Sequence, residues 1–224
     1  MSRKAGRVMD SSVAIAAAYL QLNGFFVLTE LPVQVADRQG YRAATELDVL
    51  AVRLPHAAEL LPGKGAHARD LLLGRDPTLE TDPWRTEVLI AEVKRGRAQI
   101  NEGYHDTDVL RFALRRTGCC PTQMLATHAA ALAREGVVET ITAASHPCRI
   151  RIAAFAGSSA SLARGVLAID LSHCVHFIRE RLARYEMQLR GAYFRDPVLN
   201  LLGLVDVLSA VPDLKAEKES VHAS

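Results

Sequence analysis

Two short segments place acidic side chains inside stretches that otherwise have the composition of buried β-strands. The first reads Glu46-Leu-Asp48-Val-Leu-Ala-Val, and the second reads Val88-Leu-Ile-Ala-Glu92-Val-Lys94. Because side chains alternate along a strand, the two acidic residues of the first segment share one face, and Glu92 shares a face with Lys94. A buried carboxylate is unfavourable unless it is paired or binds a metal. If the strands are neighbours, three carboxylates and one ammonium converge, which suits a hard divalent cation beside a developing negative charge.

The order of these residues resembles the core motif of a known group of nucleases. Asp48 followed by Glu92-Val-Lys94 is similar to the Asp and Glu-x-Lys of the PD-(D/E)XK nuclease superfamily, which lie on consecutive strands. The segment Val13–Leu28 resembles the helix, glycine and first strand that precede this motif in archaeal Holliday-junction resolvases and related small members. The resemblance covers roughly the first half of the chain, as far as about Gln99.

The chain departs from the superfamily pattern in three places. Leu47 stands where a Pro usually precedes the Asp, and Asp10-Ser-Ser stands in the region where many relatives carry a Glu on the first helix. The segment between Asp48 and Glu92 is far longer than a hairpin loop of about 2–5 residues. We therefore predict an insert at 55–86 between the two core strands, with a helical stretch near Ala66–Leu73. An insert beside a site is a candidate lid.

The resemblance implies a role for each residue of the motif. Asp48, Glu92 and the backbone carbonyl of Val93 would hold one Mg²⁺ or Mn²⁺. Lys94 would orient the attacking water or offset the charge that develops on the phosphate. The reaction implied by this arrangement is hydrolysis of a phosphodiester.

Two further residues are candidates for the same site. Glu46 could be a second acidic ligand of the ion, or it could form an ion pair with Lys94 or Arg53. Gln99 could hydrogen-bond a water or Lys94, as a Gln after the Glu-x-Lys strand does in some relatives. The alternative for the motif itself is a solvated strand face on which Glu92 and Lys94 form a weak ion pair.

A short basic segment follows the motif. Arg95 and Arg97 come directly after it, and Arg111 lies in the next predicted helix with two more arginines. If these side chains share a face, they contact phosphates, and each contact steepens the salt dependence of nucleic-acid binding. The alternative is an ordinary solvated helix face.

Two other groups of residues carry weaker signals. His173-x-x-His176 places two imidazoles about one helical turn apart, a spacing that binds a metal only with ligands from elsewhere. We favour a helix start with a partly buried histidine at this point. The vicinal Cys119-Cys120 is interpreted as packing rather than redox chemistry.

Composition excludes several classes of protein. The chain has 224 residues, of which 49% are hydrophobic, enough for a core, and its net charge of +2 is unlike that of a protein that coats nucleic acid. The four cysteines show no Cys-x-x-Cys spacing, and the start shows no signal peptide, so we expect a reducing cytoplasm and no zinc site. No apolar run reaches the about 18–20 residues of a membrane helix, so we expect no membrane partner.

Strand and helix patterns alternate along the chain and predict the fold class. We expect an α/β fold, a mixed central β-sheet flanked by helices (restriction-endonuclease-like), with a helical C-terminal region. The expected organisation is a single domain over 1–211, with its helical region at 172–211, followed by a flexible tail at 212–224.

The sequence therefore predicts a metal-dependent nuclease that hydrolyses phosphodiester bonds in DNA. One alternative is a catalytically inactive relative that serves as a nucleic-acid-binding or assembly module. A second alternative is a metal-dependent hydrolase of small phosphate esters or nucleotides, which an insert closed over the site would favour. Cleavage of both strands of a duplex with one site per chain would require a homodimer.

Overall fold

A computed structural model describes most of the chain. The described residues are 10–37, 40–61, 63, 69–142, 144–158, 162, 165–186 and 196–210. The tail predicted at 212–224 lies outside them. The chain divides into two compact units, Met1–Phe177 and Ile178–Ser224, and the predicted catalytic motif lies in the first.

Helix α1 spans Ser11–Leu22. Asp10 caps it, because its side chain accepts a hydrogen bond of 2.8 Å from the backbone N–H of Ser12. Gly24 follows the last turn with φ of +83°, a left-handed conformation that glycine adopts without strain. The chain then reverses into the first strand.

Within the described residues, eight strands form two sheets, and the larger sheet carries the predicted motif. It contains six strands in the order β1-β2-β5-β7-β6, and β8 also pairs with β7. The pairs β5/β7 and β7/β8 are parallel, and the other pairs of this sheet are antiparallel. The strands are β1 Phe26–Asp37, β2 Gly40–Arg53, β3 Leu60–Leu61, β4 Leu71–Leu72, β5 Thr86–Arg97, β6 Val137–Ile141, β7 Pro147–Ser158 and β8 Leu167–Asp170.

Helices of the first unit flank this mixed sheet, so the predicted α/β fold class is confirmed. After α1, this unit contains α2 Thr107–Thr117, α3 Leu125–Glu135 and the start of α4 Leu171–Arg184, and the second unit contains the rest of α4 and α5 Pro197–Ala210. Short 3-10 turns occupy Pro77–Leu79, Glu102–His105 and Thr122–Met124. Within the described residues, no helix is long and apolar enough to span a membrane.

The core beneath the motif is a cluster of buried aliphatic side chains between the sheet and helices α2 and α3. Each buried side chain of this kind stabilises the fold by about 1.5–3 kcal/mol. The cluster therefore holds β2 and β5 rigidly at the centre of the sheet. Its members include Leu50, Val88, Ile90, Leu110, Leu114, Leu132, Ile150 and Ile152.

The insert between β2 and β5 does not lie where a lid would be expected. It starts after Arg53, which pairs with Glu87 at the opposite end of the β2–β5 ladder from Asp48. Five residues of strand separate Arg53 from Asp48, or about 17 Å. The described part of the insert is therefore anchored far from the motif, which does not support its interpretation as a lid.

The helix predicted near Ala66–Leu73 was also wrong for the described residues. Leu71–Leu72 forms a short strand that pairs with Leu60–Leu61. The residues at 64–68 lie outside the described part of the chain. An apolar run of this length fits either element, so periodicity alone could not decide between them.

Asp76 anchors the insert to the rest of the first unit. Its Oδ2 accepts hydrogen bonds from the Tyr19 hydroxyl at 2.8 Å and from His173 Nε2 at 2.6 Å, and its Oδ1 accepts one from the Thr78 N–H at 2.9 Å. Its own backbone N–H donates to Asn23 Oδ1 at 2.7 Å. We call these five residues the Asp76 cluster. Burial raises the pKa of Asp76, but the hydrogen bonds outweigh burial and leave this pKa below its usual value.

Candidate active site

Asp48 lies on β2 just beyond the end of its regular pairing with β5. The last registered pair on this side is Val49 with Ala91. The Asp48 carboxylate reaches across to β5, where its Oδ2 accepts a hydrogen bond of 2.8 Å from the Val93 N–H. Burial raises the pKa of Asp48, and although this hydrogen bond and the charge of Lys94 oppose the change, the pKa remains above its usual value.

Glu92 is buried on β5, with only 1% of its side chain exposed. Its Oε1 accepts a hydrogen bond of 2.6 Å from Asn101 Nδ2 and forms an ion pair with Lys94 Nζ. Its Oε2 is buried and makes no regular hydrogen bond among the described residues, although the nearby Tyr104 hydroxyl acts on the Glu92 carboxyl and lowers its pKa. Burial raises the pKa of Glu92, and the charge of Asp48 raises it further against the opposing effect of Lys94. The interpretation of this pair as a solvated surface is therefore wrong.

The 3-10 turn after β5 supplies two residues that sequence reasoning missed. Tyr104 is fully buried, and its hydroxyl donates to the Ala91 carbonyl at 2.8 Å and accepts from the Asp48 N–H at 3.1 Å. Asn101 is the amide partner of Glu92 described above. The available signal was an Asn and a Tyr close to a Gly directly after the motif strand. We call Asp48, Glu92, Lys94, Asn101 and Tyr104 the motif cluster.

Position 103, directly before Tyr104, requires glycine. A Cβ atom on Gly103 would lie 2.9 Å from Cβ and Oγ1 of Thr45 on β2. A larger residue would push the turn away from the sheet. The turn is therefore pressed directly against the strand that carries Asp48.

The structure brings together three of the predicted residues, Asp48, Glu92 and Lys94. Glu46 is half-buried two residues before Asp48 on β2, and its charge contributes to the raised pKa of Asp48. No group of three His, Cys, Asp or Glu side chains in the described ranges has the geometry to hold a metal. Gln99, predicted to hydrogen-bond a water or Lys94, is exposed, and the amide that contacts Glu92 is that of Asn101.

Asp10 and Glu30 bring two more carboxylates to the edge of this region. The Asp10 N–H donates to Glu30 Oε1 at 3.3 Å, and the charge of Asp10 raises the pKa of Asp48. Glu30 lies on β1 between two registered pairs that flank Asp48, and its φ of +50° is a left-handed conformation rare for this residue type. The first helix thus contributes an acidic group near Asp48, where the resemblance leads us to expect a Glu.

The predicted phosphate-binding arginines are exposed. Arg95 forms an ion pair of 2.8 Å with Asp10, and 73% of its side chain is accessible. Arg97 is exposed at the end of β5. Arg111 is exposed on α2, where it forms an ion pair of 2.9 Å with Asp108 one turn earlier. Ion pairs of this kind are weak and exchange readily with other partners.

The donor set of the motif cluster fits a hard divalent cation. Carboxylate oxygens are the ligands that Mg²⁺ and Mn²⁺ prefer. The buried Oε2 of Glu92 makes no regular hydrogen bond in the described part of the chain, and the raised pKa values of Asp48 and Glu92 both report negative charge that burial disfavours. A cation bound between the two carboxylates would compensate this charge.

Comparison of the chain with models of protein families, with curated proteins and with solved structures finds no match in any of the three.

Proposed function

We propose that this chain is a metal-dependent nuclease of the PD-(D/E)XK type that hydrolyses phosphodiester bonds in DNA. One observation supports the proposal above all others. Asp48 and Glu92 meet across two strands beside Lys94, and the buried Glu92 keeps an oxygen that makes no regular hydrogen bond among the described residues. Arrangements that maintain such a group at a cost in stability are typical of functional sites.

The residues of the motif cluster divide the work between them. Asp48 and Glu92 would hold one Mg²⁺ or Mn²⁺ together with the Val93 carbonyl. When bound, this ion supplies a Lewis acid for a phosphate oxygen and lowers the pKa of water. Lys94, with 35% of its side chain exposed, reaches the surface of the site and stabilises negative charge on the phosphate. Asn101 holds the Glu92 carboxylate in place through Oε1.

The exposed arginines support a nucleic acid as the substrate. Arg95 and Arg97 follow Lys94 on β5, and both side chains are exposed, so they are available to a phosphate backbone at this end of the strand. Loss of one phosphate contact is expected to reduce by about 1 the magnitude of the slope of log K for DNA binding against the logarithm of the salt concentration. Hydrolysis of small phosphate esters has less support, because the described part of the insert lies at the far end of the ladder.

The experiment that tests the proposal is cleavage of linear, supercoiled, branched and single-stranded DNA with Mg²⁺, Mn²⁺ or EDTA. The wild type is compared with Asp48→Asn, Glu92→Gln and Lys94→Met, which preserve side-chain volume. Asp76→Asn is the matched control, because it neutralises another buried aspartate outside the site. Metal-dependent cleavage that all three site variants lose and the control keeps would support the nuclease. An inactive wild type that binds DNA without metal would favour the non-catalytic module.

A further inference from the structure

A tyrosine hydroxyl joins the two strands that carry the motif carboxylates. Regular pairing of β2 with β5 reaches Val49 and Ala91. At the next step the Tyr104 hydroxyl accepts a hydrogen bond from the Asp48 N–H at 3.1 Å and donates one to the Ala91 carbonyl at 2.8 Å. One oxygen atom therefore connects the backbone of Asp48 to the residue that precedes Glu92.

The surroundings of Tyr104 hold this oxygen in place. The ring is fully buried in the core cluster, together with Val109 and Leu110 of α2. The preceding residue, Gly103, lies against Thr45 without room for a side chain. The turn also holds Glu92 through Asn101. The segment that follows β5 thus contacts both carboxylate-bearing strands from one rigid position.

We infer that Tyr104 is a positioning residue, whose hydroxyl sets the separation of Asp48 and Glu92 so that both carboxylates reach one Mg²⁺ or Mn²⁺. This inference rests on the proposed function. Without the hydroxyl, the Asp48 N–H and the Ala91 carbonyl lose a buried partner, and the strands must shift to satisfy them. Groups that orient metal ligands typically contribute about 10–100-fold to metal affinity.

The test is Tyr104→Phe, which removes one oxygen atom and keeps the ring. Tyr19→Phe is the matched control, because Tyr19 is also fully buried and its hydroxyl donates to the Asp76 carboxylate at 2.8 Å. The affinity of each full-length chain for Mn²⁺ is measured by calorimetry, and its stability by urea unfolding. We expect Tyr104→Phe to weaken Mn²⁺ binding about 10–100-fold and Tyr19→Phe to leave the affinity unchanged.

Two results would overturn the inference. Either Tyr104→Phe binds Mn²⁺ as tightly as the wild type, or both variants lose affinity in proportion to their loss of stability. If Tyr104→Phe is unfolded in buffer, its refolding by Mn²⁺ is compared with that of wild type unfolded to the same extent by urea. Equal Mn²⁺ requirements would again reject the positioning role, and a higher requirement for the variant would support it.

Failure of the inference is distinguishable from failure of the proposed function. If Mn²⁺ binding by the wild type does not depend on Asp48 and Glu92, the proposed metal site itself is rejected. If the wild type binds Mn²⁺ through these carboxylates and Tyr104→Phe binds it equally tightly, only the role of the hydroxyl is rejected. Cleavage by that variant gives a second measure, because a positioning defect raises the Mn²⁺ concentration needed for half-maximal activity.

Discussion

The motif cluster and the Asp76 cluster share three kinds of residue and differ in how their carboxylates are hydrogen-bonded. Each contains a fully buried tyrosine, an asparagine and a buried acidic residue. Asp76 has hydrogen bonds on both carboxylate oxygens, and its pKa lies below the usual value. Glu92 makes regular hydrogen bonds through Oε1 only, within the described chain, and its pKa is raised. The first arrangement stabilises the fold, and under the proposed function the second would bind a cation.

The largest expected effect comes from Glu92→Gln. This change removes the charge that would bind the ion, so activity should fall by more than the about 100-fold that loss of a supporting contact can cause. The same variant should melt higher than wild type in EDTA, because an uncharged amide is cheaper to bury than a partly unsatisfied carboxylate. DNA cleavage rates with Mn²⁺ measure the first effect, and calorimetric melting in EDTA measures the second. A lower melting temperature in EDTA would contradict the comparison.

The next prediction compares Asn101 of the motif cluster with Asn23 of the Asp76 cluster. Asn101→Ala should lower activity about 10–100-fold, because Asn101 holds the proposed ligand Glu92 by a 2.6 Å hydrogen bond. Asn23→Ala should leave activity unchanged and lower the free energy of unfolding by about 1–3 kcal/mol, because the Asp76 N–H loses its buried acceptor. Steady-state cleavage rates and urea unfolding of both variants check this. The reverse assignment of effects would show that the two clusters are not functionally distinct.

Asp76→Asn is expected to act on stability alone. An asparagine cannot accept the charge-assisted hydrogen bonds of Tyr19 and His173 equally well, so the free energy of unfolding should fall by about 1–3 kcal/mol. For a unit of this size, each 1 kcal/mol lowers the melting temperature by about 2–4 °C. Cleavage measured well below the transition should match wild type. A loss of activity at full folding would place Asp76 in the functional site.

The smallest effect is a pH dependence of stability. The folded-state pKa of Asp76 lies below its usual value of 3.8, so the folded protein releases this proton more readily than the unfolded chain. The resulting stabilisation is present above the unfolded pKa and is lost as pH falls through the folded pKa. The free energies of unfolding of wild type and Asp76→Asn, measured with urea over this acidic range, should converge as pH decreases. A difference in the free energy of unfolding that does not change with pH would contradict the lowered pKa of Asp76 in the folded state.

Strand periodicity was sufficient to predict the convergence of Asp48, Glu92 and Lys94, because alternation fixes which side chains of paired strands meet. It could not predict Asn101 and Tyr104. These residues lie in an irregular turn whose position depends on contacts with distant strands, and no local repeat encodes such contacts. Gln99 was chosen instead of Asn101 for the same reason.

Two secondary-structure errors have a similar origin. Strand β6, Val137–Ile141, was not predicted, because a five-residue edge strand directly after a helix gives a weak signal. The apolar Leu71 and Leu72 were assigned to a helix, and their pairing with Leu60–Leu61 shows that a non-local partner decided their conformation. The mixed sheet as a whole was predicted correctly, because its long apolar strands allow few alternatives.

The placement of the insert makes it a natural entry point for engineering. Ala57 is held on one side by Arg53 Nη2 at 2.7 Å, and Asp76 is held on the other side by its cluster. A fluorescent reporter or affinity tag inserted between Leu61 and Leu71 would be isolated by these two anchors from the strands that carry the motif. The protein could thus be labelled, immobilised or split there for complementation assays while its chemistry is studied undisturbed.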